Sequence, residues 1–268
     1  MVALAFGGDW DTKNSMVGFL RKFGAAPKQS EVKGFSHPVA PDQPFLAIGD
    51  IHGRADLLQR LEQIILSEAP GLPAVFVGDY IDRGEHSAHV IEILMSGSQT
   101  GSQPVFCLKG NHEEMCLKFL DDPERYGARW LRFGGLQTLA SYGLQVAGSE
   151  PDSLMRARDD LAVAMGDAVI EWIRALPTMW RSGNVCVTHA GADPARPLDA
   201  QAESSLIWGH KDFAEKPRTD GQWVVYGHVI ADRANAARGR IAVDTGAYAT
   251  GRLTAAVISQ GSVRFLAT

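Results

Sequence analysis

The chain has 268 residues, of which 45% are hydrophobic and 21% charged, and this suits a single large α/β domain with a substantial core. Its net charge of −5 gives no reason to expect nucleic acid as a partner, because such binding depends on many Lys and Arg contacts with phosphate. No apolar run is long enough to span a bilayer, and the acidic N-terminus is unlike a secretory signal.

The three cysteines are an odd number and include no Cys-x-x-Cys spacing. They are Cys107, Cys116 and Cys186, and the first and last lie in apolar runs that resemble strands. We therefore expect reduced, buried thiols in a cytoplasmic protein.

The first part of the chain differs from the rest in having no sustained periodicity. We predict that residues 1–44 form an N-terminal extension and that residues 45–268 form the main domain. The stretch MVGFLRKFG (16–24) is compatible with a short basic amphipathic helix. We expect this helix to pack on the domain surface rather than to contact a membrane.

From residue 45 onward, five short apolar runs each reach Asp, Asn or His, in most cases directly after Gly. The runs are FLAIGD (45–50), AVFVGD (74–79), VFCLKGNH (105–112), VCVTHAG (185–191) and WVVYGH (223–228). Runs of this kind predict strands that are buried on both faces. The glycine lets the backbone turn sharply and removes side-chain bulk beside the polar group.

Helical patterns alternate with these strands. They cover residues 54–69, 87–97 and 113–176, the last with breaks near 134–135 and 143–151. This alternation predicts a layered α/β fold. After residue 223 the pattern changes to successive strands without helices between them, at 223–226, 240–244, 253–259 and 262–267, and this change predicts a second, antiparallel sheet.

The polar strand ends are expected to meet, because ligands of α/β sheets bind outside the carboxyl ends of the strands. They supply carboxylate, amide and imidazole groups but no thiolate: Asp50, His52, Asp79, Asn111, His189 and His228. This mixture suits Mn, Fe or Zn rather than a cysteine-bound structural zinc or an all-oxygen calcium site. Six ligands exceed what one catalytic ion needs, so we predict two ions that share a carboxylate.

Each of these residues taken alone is explained as a turn residue or a structural histidine. However, four of the eight histidines fall at strand ends, which independent turns do not require. The run GDYIDRGEH (78–86) adds Asp82, which can orient a protonated histidine, and Arg83, whose fork matches phosphate oxygens. Two cations, an arginine and a protonated histidine predict phosphoryl transfer to water.

The order of these motifs identifies a family resemblance. GDIHG (49–53), GDYIDRG (78–84), GNHE (110–113), HAG (189–191) and YGH (226–228) occur as in the PPP-type calcineurin-like metallophosphoesterases. The chain most resembles the bacterial and bacteriophage lambda-type serine/threonine protein phosphatases, over roughly residues 45–260. The resemblance implies an α/β (α+β) fold, a four-layer β-sandwich of two mixed sheets flanked by helices.

The resemblance also implies a role for each site residue. Asp50, His52 and the bridging Asp79 are expected to hold one metal ion, and Asp79, Asn111, His189 and His228 the other. A hydroxide that bridges the ions is expected to attack the phosphate, with His112 as the general acid, Asp82 as its partner and Arg83 on the phosphate. Two Mn²⁺ ions are the expected cofactors, with Fe or Zn as alternatives.

Two positions depart from the pattern of this branch. Lys109 precedes GNHE, where the branch often has Arg, and His210 stands where it tends to have Arg after Ile-Trp. Lysine keeps the charge but lacks the fork of arginine. We expect both residues to bind substrate; the alternative is that both positions have drifted without consequence.

The substrate is expected to be a phosphorylated serine or threonine in a protein, or a small phosphoester. A hydrolase of dinucleoside polyphosphates (the Ap4A type) or of other nucleotides is the alternative enzyme, because it uses a similar metal core. A non-catalytic binding protein is the alternative from another class. The presence of all six ligands and of His112 argues against it.

Overall fold

The computed structural model describes residues 35–100 and 103–268, so the helix predicted at 16–24 lies outside the described residues. The strands of the described part are β1 (Phe45–Ile48), β2 (Ala74–Phe76), β3 (Val105–Cys107), β4 (Met179–Ser182), β5 (Val185–Thr188), β6 (Trp223–Tyr226), β7 (Asn235–Ala237), β8 (Arg240–Ala242), β9 (Thr254–Ser259) and β10 (Ser262–Ala267). Its α-helices are α1 (Ala55–Glu68), α2 (Ser87–Thr100), α3 (Asn111–Asp121), α4 (Pro123–Trp130), α5 (Leu136–Ser141), α6 (Pro151–Met165), α7 (Asp167–Ala175), α8 (Glu203–Trp208) and α9 (Ala247–Thr250).

The strands form two five-stranded sheets, and both are mixed. Sheet A has the order β10-β9-β1-β2-β3, with β1, β2 and β3 parallel and β9 antiparallel to both of its neighbours. Sheet B has the order β4-β5-β6-β8-β7, with β5, β6 and β8 parallel. The predicted fold of two mixed sheets with helices is confirmed.

The prediction of a separate antiparallel sheet after residue 223 is wrong. β6 and β8 pair in parallel within sheet B, with Val224 opposite Arg240. β9 and β10 belong to sheet A, where Leu46 of β1 lies opposite Val257 of the antiparallel β9. The short helix α9 also separates β8 from β9. The period of two identifies strands but carries no information on which strand each one pairs with.

Alternate strand residues face two different apolar layers. In β1, Phe45 and Ala47 belong to the layer between the sheets, whereas Leu46 and Ile48 pack against the helices that cover sheet A. A third apolar cluster contains Val224 of sheet B together with side chains from outside the two sheets. Strands buried on both faces explain why these runs are continuously apolar.

The long helical stretch is broken where the sequence predicts it. A π-helical turn, Leu131–Gly135, follows α4, and Gly134 has a left-handed φ of 117°. A second break separates α5 from α6, which begins with a proline at its first turn, a favourable position for that residue. Both breaks confirm the prediction made from the glycine and proline positions.

Residues 35–44 pack on sheet B in extended form. The Ala40 N–H donates to Asn184 Oδ1 (2.7 Å), and Val39 is buried. The predicted domain boundary at residue 45 stays a prediction. The three cysteines are free and buried, as expected. No helix in residues 35–100 and 103–268 is long and apolar enough to cross a membrane.

Candidate metal centre

The six predicted ligands meet at one edge of the β-sandwich. Asp50 follows β1, Asp79 follows β2 and Asn111 opens α3 directly after β3, and these three strands are parallel. His189 and His228 follow the parallel strands β5 and β6 of the other sheet. Parallel pairing therefore places each set of strand ends on the same side of its sheet.

Asp79 lies between two groups of donors. Its Oδ2 is 3.5 Å from His52 Nε2, and its Oδ1 is 3.4 Å from His189 Nε2. Asn111 Oδ1 lies 2.9 Å from His189 Nε2 and 2.8 Å from His228 Nδ1. The two oxygens of one carboxylate thus face different histidines, and this arrangement suits a carboxylate that bridges two cations.

Asp50 shows that these residues fit a cation. Its Oδ2 accepts the His228 N–H at 2.9 Å, but its Oδ1 is buried and has no hydrogen-bond partner among the described residues. Burial, together with the carboxylates of Asp244 and Asp79, raises the pKa of Asp50 well above its usual range. A bound divalent cation would satisfy the unpaired oxygen and neutralise this concentration of acids.

The histidines of the two groups are held in the form that binds metal. Burial lowers the pKa of His52 to about 3 and that of His189 to about 4, and it also lowers the pKa of His228. The Nδ1 atoms of His52 and His189 lie 2.8 and 3.1 Å from the carbonyls of Ile81 and Val77. A neutral ring with its Nδ1–H on a carbonyl presents a free Nε2 lone pair to the centre.

The backbone of the centre is strained at several points. Among non-glycine residues that are described, most of those with a left-handed φ are site residues: His52, Asp79, Asp82, Arg83 and His228. Such conformations persist where the surrounding structure fixes them, and they are frequent at functional sites. Glycine is also required for a steric reason directly before Asn111 and His228. A Cβ at Gly110 would overlap a carboxylate oxygen of Asp79, and a Cβ at Gly227 would overlap one of Asp50.

A buried pair of hydrogen-bonded side chains, His112 and Asp82, lies beside the proposed metal ligands. His112 Nδ1 is 2.6 Å from Asp82 Oδ2, and both side chains are buried. Trp130 Nε1 donates to the same oxygen (3.0 Å), and Thr138 Oγ1 donates to the other (2.6 Å). Asp82 is therefore fixed as the acceptor for His112, and the Nε2 of His112 remains directed at the centre, 3.9 Å from Asp79 Oδ2.

His112 differs electrostatically from the other three histidines. Burial alone would lower its pKa, but the carboxylates of Asp79 and Asp82 outweigh this effect and raise it. By distance alone His112 could join His52 and Asp79 around an ion. Its bond to Asp82 and the direction of its pKa shift instead fit a histidine that carries and donates a proton.

Arg83 lies at the mouth of the same centre. A terminal guanidinium nitrogen is 3.1 Å from His112 Nε2, and the guanidinium carbon is 4.6 Å from the centre of the Tyr248 ring. The Arg83 N–H is directed at the Gly134 carbonyl (3.3 Å). The π-helical turn and Tyr248 therefore place this guanidinium next to the proposed acid.

The other two predicted substrate-binding residues have different surroundings. The Lys109 ammonium donates to the Arg174 carbonyl (2.9 Å). His210 Nε2 lies 3.8 Å from Asp193 Oδ2, and its Nδ1 accepts the Asp212 N–H. The structure brings Arg83 to His112 but shows neither Lys109 nor His210 in contact with the six ligands, so their role stays a prediction.

The structure adds two buried acids to the predicted set. Glu113 lies in the first turn of α3, and its carboxylate accepts the N–H groups of Asp79, Tyr80 and Gly110 at 2.8–2.9 Å. Burial and the Asp79 charge raise its pKa to about 7. Asp244 follows β8, is buried, and has a pKa raised to about 6 by burial. Its run, IAVDTG, repeats the pattern of an apolar run that ends in Asp, so the sequence did contain a signal for it.

The fold and this centre define a family of phosphoester hydrolases. The chain belongs to the calcineurin-like phosphoesterase family, whose model matches residues 43–232. The match confirms the predicted class of enzyme, a hydrolase acting on phosphoric ester bonds, and the family implies divalent metal ions as cofactors.

Relatives with different named substrates share most of the chain. Serine/threonine-protein phosphatase 2 of Escherichia coli (strain K12) is 30% identical over 222 residues, which cover 77% of this chain and 89% of that protein. The asymmetrical bis(5'-nucleosyl)-tetraphosphatase PrpE of Bacillus thuringiensis (strain Al Hakam) is 26% identical over 232 residues, 78% of this chain and 87% of that protein. The predicted family is thus confirmed, and relatives named for each of the two predicted activities match most of this chain.

A solved structure supports the same fold. The crystal structure of a cold-active protein-tyrosine phosphatase from a psychrophilic Shewanella species aligns with a TM-score of 0.52 at 17% identity. The alignment covers 85% of this chain and 83% of that one.

Proposed function

We propose that this chain is a metal-dependent phosphomonoesterase that hydrolyses phosphoserine and phosphothreonine in proteins. The observation that carries the proposal is the position of the His112–Asp82 pair, 2.6 Å apart and buried, beside a carboxylate that faces two groups of histidines. A proton donor next to a site for two cations supplies the groups that cleavage of a phosphate ester by direct attack of water needs.

The two cation positions follow from the donor groups. One would be held by Asp50, His52 and Asp79, and the other by Asp79, Asn111, His189 and His228. When bound, divalent cations would lower the pKa of a shared water and neutralise charge on the phosphate. We propose Mn²⁺, with Fe or Zn as alternatives, because the donors mix imidazole with oxygen and include no thiolate.

His112 is proposed as the general acid. Its Nδ1–H is donated to Asp82, so its second proton would be carried on Nε2, the atom that is directed at the centre, once Arg83 turns from Nε2 (3.1 Å) to the phosphate. The hydrogen bonds from Trp130 and Thr138 prevent Asp82 from turning away. Donation of the Nε2 proton to the leaving oxygen would contribute about 10²–10⁴ in rate.

Arg83 is proposed as the main contact to the phosphate. Its guanidinium is fixed against Tyr248 and beside His112, where two N–H groups can bind two phosphate oxygens at once. Lys109 and His210 are proposed as further substrate contacts outside the phosphate itself. Lys109 would have to leave the Arg174 carbonyl to reach a substrate.

Hydrolysis of dinucleoside polyphosphates is the second candidate function. It is favoured by the likeness to the tetraphosphatase PrpE over 78% of the chain. Both functions would use the same donors, but they differ in the bond that is cleaved, an ester or an anhydride, and in what lies beyond the phosphate. We also propose a cytoplasmic location, because the three buried thiols are free.

A panel of substrates separates these functions. The purified chain is given Mn²⁺ with p-nitrophenyl phosphate, a phosphoserine peptide and diadenosine tetraphosphate. The proposal requires that the phosphopeptide be cleaved with a higher kcat/KM than the dinucleotide. The reverse order would replace it by the second candidate. Inactivity towards all three, with two Mn²⁺ bound per chain, would mean a binding protein instead.

A further inference from the structure

A groove of about 520 Å³ opens beside the guanidinium of Arg83. It lies between the π-helical turn with the start of α5 on one side and Tyr248 on the other. The side chains that line it include Arg83, Arg132, Phe133, Leu136, Gln137 and Tyr248. Because Arg83 is shared, a substrate whose phosphate binds Arg83 has this groove next to it.

The groove exposes large apolar side chains to solvent. Phe133 is 44% exposed, Leu136 48% and Tyr248 37%. Large apolar groups of this kind are frequent in cores, and grouping them in one exposed groove marks a binding surface. Covering these side chains by a ligand would remove apolar surface from water, which favours binding.

The charges of the groove fit a phosphorylated ligand. Of the described residues that line it, two are arginines, Arg83 and Arg132, and none is acidic. A third guanidinium, that of Arg129, lies 5.8 Å from the centre of the Phe133 ring. An anionic ligand with an apolar part is therefore complementary to the groove, whereas a basic segment is not.

The apolar wall is fixed relative to the proposed phosphate contact. Gly134 follows Phe133 directly, and its carbonyl lies 3.3 Å from the Arg83 N–H. A Cβ at Gly134 would be only 2.6 Å from the Arg83 nitrogen, so the two backbones are in close contact. The distance from the phosphate contact to Phe133 is thus set by the backbone, as a subsite requires.

We propose that this groove binds a bulky apolar side chain next to the phosphorylated residue of a protein substrate. The inference rests on the proposed phosphoprotein phosphatase activity and adds a sequence preference to it. A purine base also stacks on aromatic rings, but its polar edges need partners. Among the described lining residues Gln137 is the one uncharged amide, whereas Phe133, Leu131 and Leu136 suit an aliphatic or aromatic side chain.

Two phosphoserine peptides test the inference. They are identical except for leucine or glycine on both sides of the phosphoserine. The wild type is expected to hydrolyse the leucine peptide with about tenfold higher kcat/KM, as an apolar contact of this size allows. In the double variant Phe133→Ala/Leu136→Ala this preference is expected to fall to about twofold or less. The ratio cancels any loss of folded enzyme, because both peptides meet the same preparation.

Val163→Ala is the matched control, since Val163 is 83% exposed on α6 and lines no part of the groove. Its preference should equal that of the wild type. Equal rates for both peptides in the wild type, or an unchanged preference in the double variant, would overturn the inference. So would a double variant that loses diadenosine tetraphosphate hydrolysis while keeping its peptide preference. If the wild type cleaves p-nitrophenyl phosphate but neither peptide, the proposed function fails first, and the inference with it.

Discussion

The Glu113 carboxylate accepts the Asp79 N–H at 2.8 Å and the Gly110 N–H at 2.9 Å. It joins the loop after β2, which carries Asp79, to the first turn of α3, which carries the proposed acid His112. The position of the metal ligands and the position of the acid are therefore not independent. A change at Glu113 should disturb both without removing a ligand.

Glu113→Gln tests this connection. An amide can accept on one oxygen only, and its NH₂ group would face a backbone N–H, so we expect a loss of about 3 kcal/mol in the free energy of unfolding. Urea denaturation of the metal-free protein measures it. Glu114→Gln is the matched control, because Glu114 is half-buried and pairs with Lys118 and Trp208, and it should lose less than about 1 kcal/mol. Equal losses in the two variants would contradict the role of Glu113.

The proposed general acid can be removed without removing a proposed metal ligand. His112→Asn should lower kcat for p-nitrophenyl phosphate by about 10²–10⁴. Metal content, measured by atomic emission, should stay at the wild-type value, because Asn111 and Asp79 are intact. His89→Asn, a change on the exposed face of α2, should leave kcat unaltered. A normal kcat in His112→Asn would refute its role as the acid.

The effect of metal removal on the stability of the fold should depend mainly on the buried carboxylates. At a Mn²⁺ concentration of about one hundred times its dissociation constant, the wild type should gain about 2.7 kcal/mol of stability for each of the two proposed ions. From the ion that Asp50 would hold, Asp50→Asn should gain less than about 1 kcal/mol, because it loses a ligand charge.

In EDTA the same variant should be at least as stable as the wild type, since it no longer has a buried, unpaired oxygen charge beside Asp244. Asp159→Asn, at an exposed carboxylate of α6, should behave as the wild type does in both conditions. Differential scanning calorimetry with and without Mn²⁺ measures these differences. A full Mn²⁺ response in Asp50→Asn would remove Asp50 from the ligand set.

Gly134 offers a test of how Arg83 is placed. Gly134→Ala adds a methyl group 2.6 Å from the Arg83 nitrogen and 2.9 Å from its Cγ. We expect kcat/KM for p-nitrophenyl phosphate to fall by about 10–100-fold, because a shift of about 1 Å in a positioning group has such effects.

Gly143→Ala is the control for backbone strain alone. Gly143 also has a left-handed φ, 76°, but no atom lies within 4 Å of its added Cβ. Both variants should lose about 1 kcal/mol of stability from the left-handed backbone, and only Gly134→Ala should lose activity. Similar activities in the two variants would show that Arg83 does not depend on the π-helical turn.

The thiols should be inert in the folded protein. Burial raises the pKa of Cys107 and of Cys186 to about 12, and it raises the pKa of Cys116 well above its usual range. At pH 8 a thiol of pKa 12 is ionised to about one part in 10⁴, so reaction with Ellman's reagent should be slow until the chain unfolds. Three thiols should then react in guanidinium chloride. Rapid reaction of any one in the native protein would contradict its burial.

The site was predictable because its residues repeat one local pattern. An apolar run that ends in Asp, Asn or His recurs five times, four of them with Gly directly before the polar residue, and a shared strand end brings these residues together. Asp244 shows the same pattern and could have been found in the same way. Glu113 could not, because a glutamate in the first turn of a helix is common, and only the loop after β2 turns it into an acceptor for three N–H groups.

The strand pairing after residue 223 illustrates what local patterns omit. Four of the five strands in this part of the chain were predicted, β7 was missed, and β9 and β10 belong to the first sheet rather than the second. Pairing is decided by which apolar faces are left uncovered when the whole chain has folded, and this information is spread over residues far apart in sequence.

The sequence by itself determined the family, and it predicted the proposed metal donors and the proposed acid His112, because each depends on residue type and local spacing. Only the tertiary structure decided which of these groups contact one another. It placed the two oxygens of Asp79 against different histidines, fixed Asp82 on His112 through Trp130 and Thr138, and set Phe133 beside Arg83. These relationships join residues that lie far apart in the chain, and packing alone sets their distances.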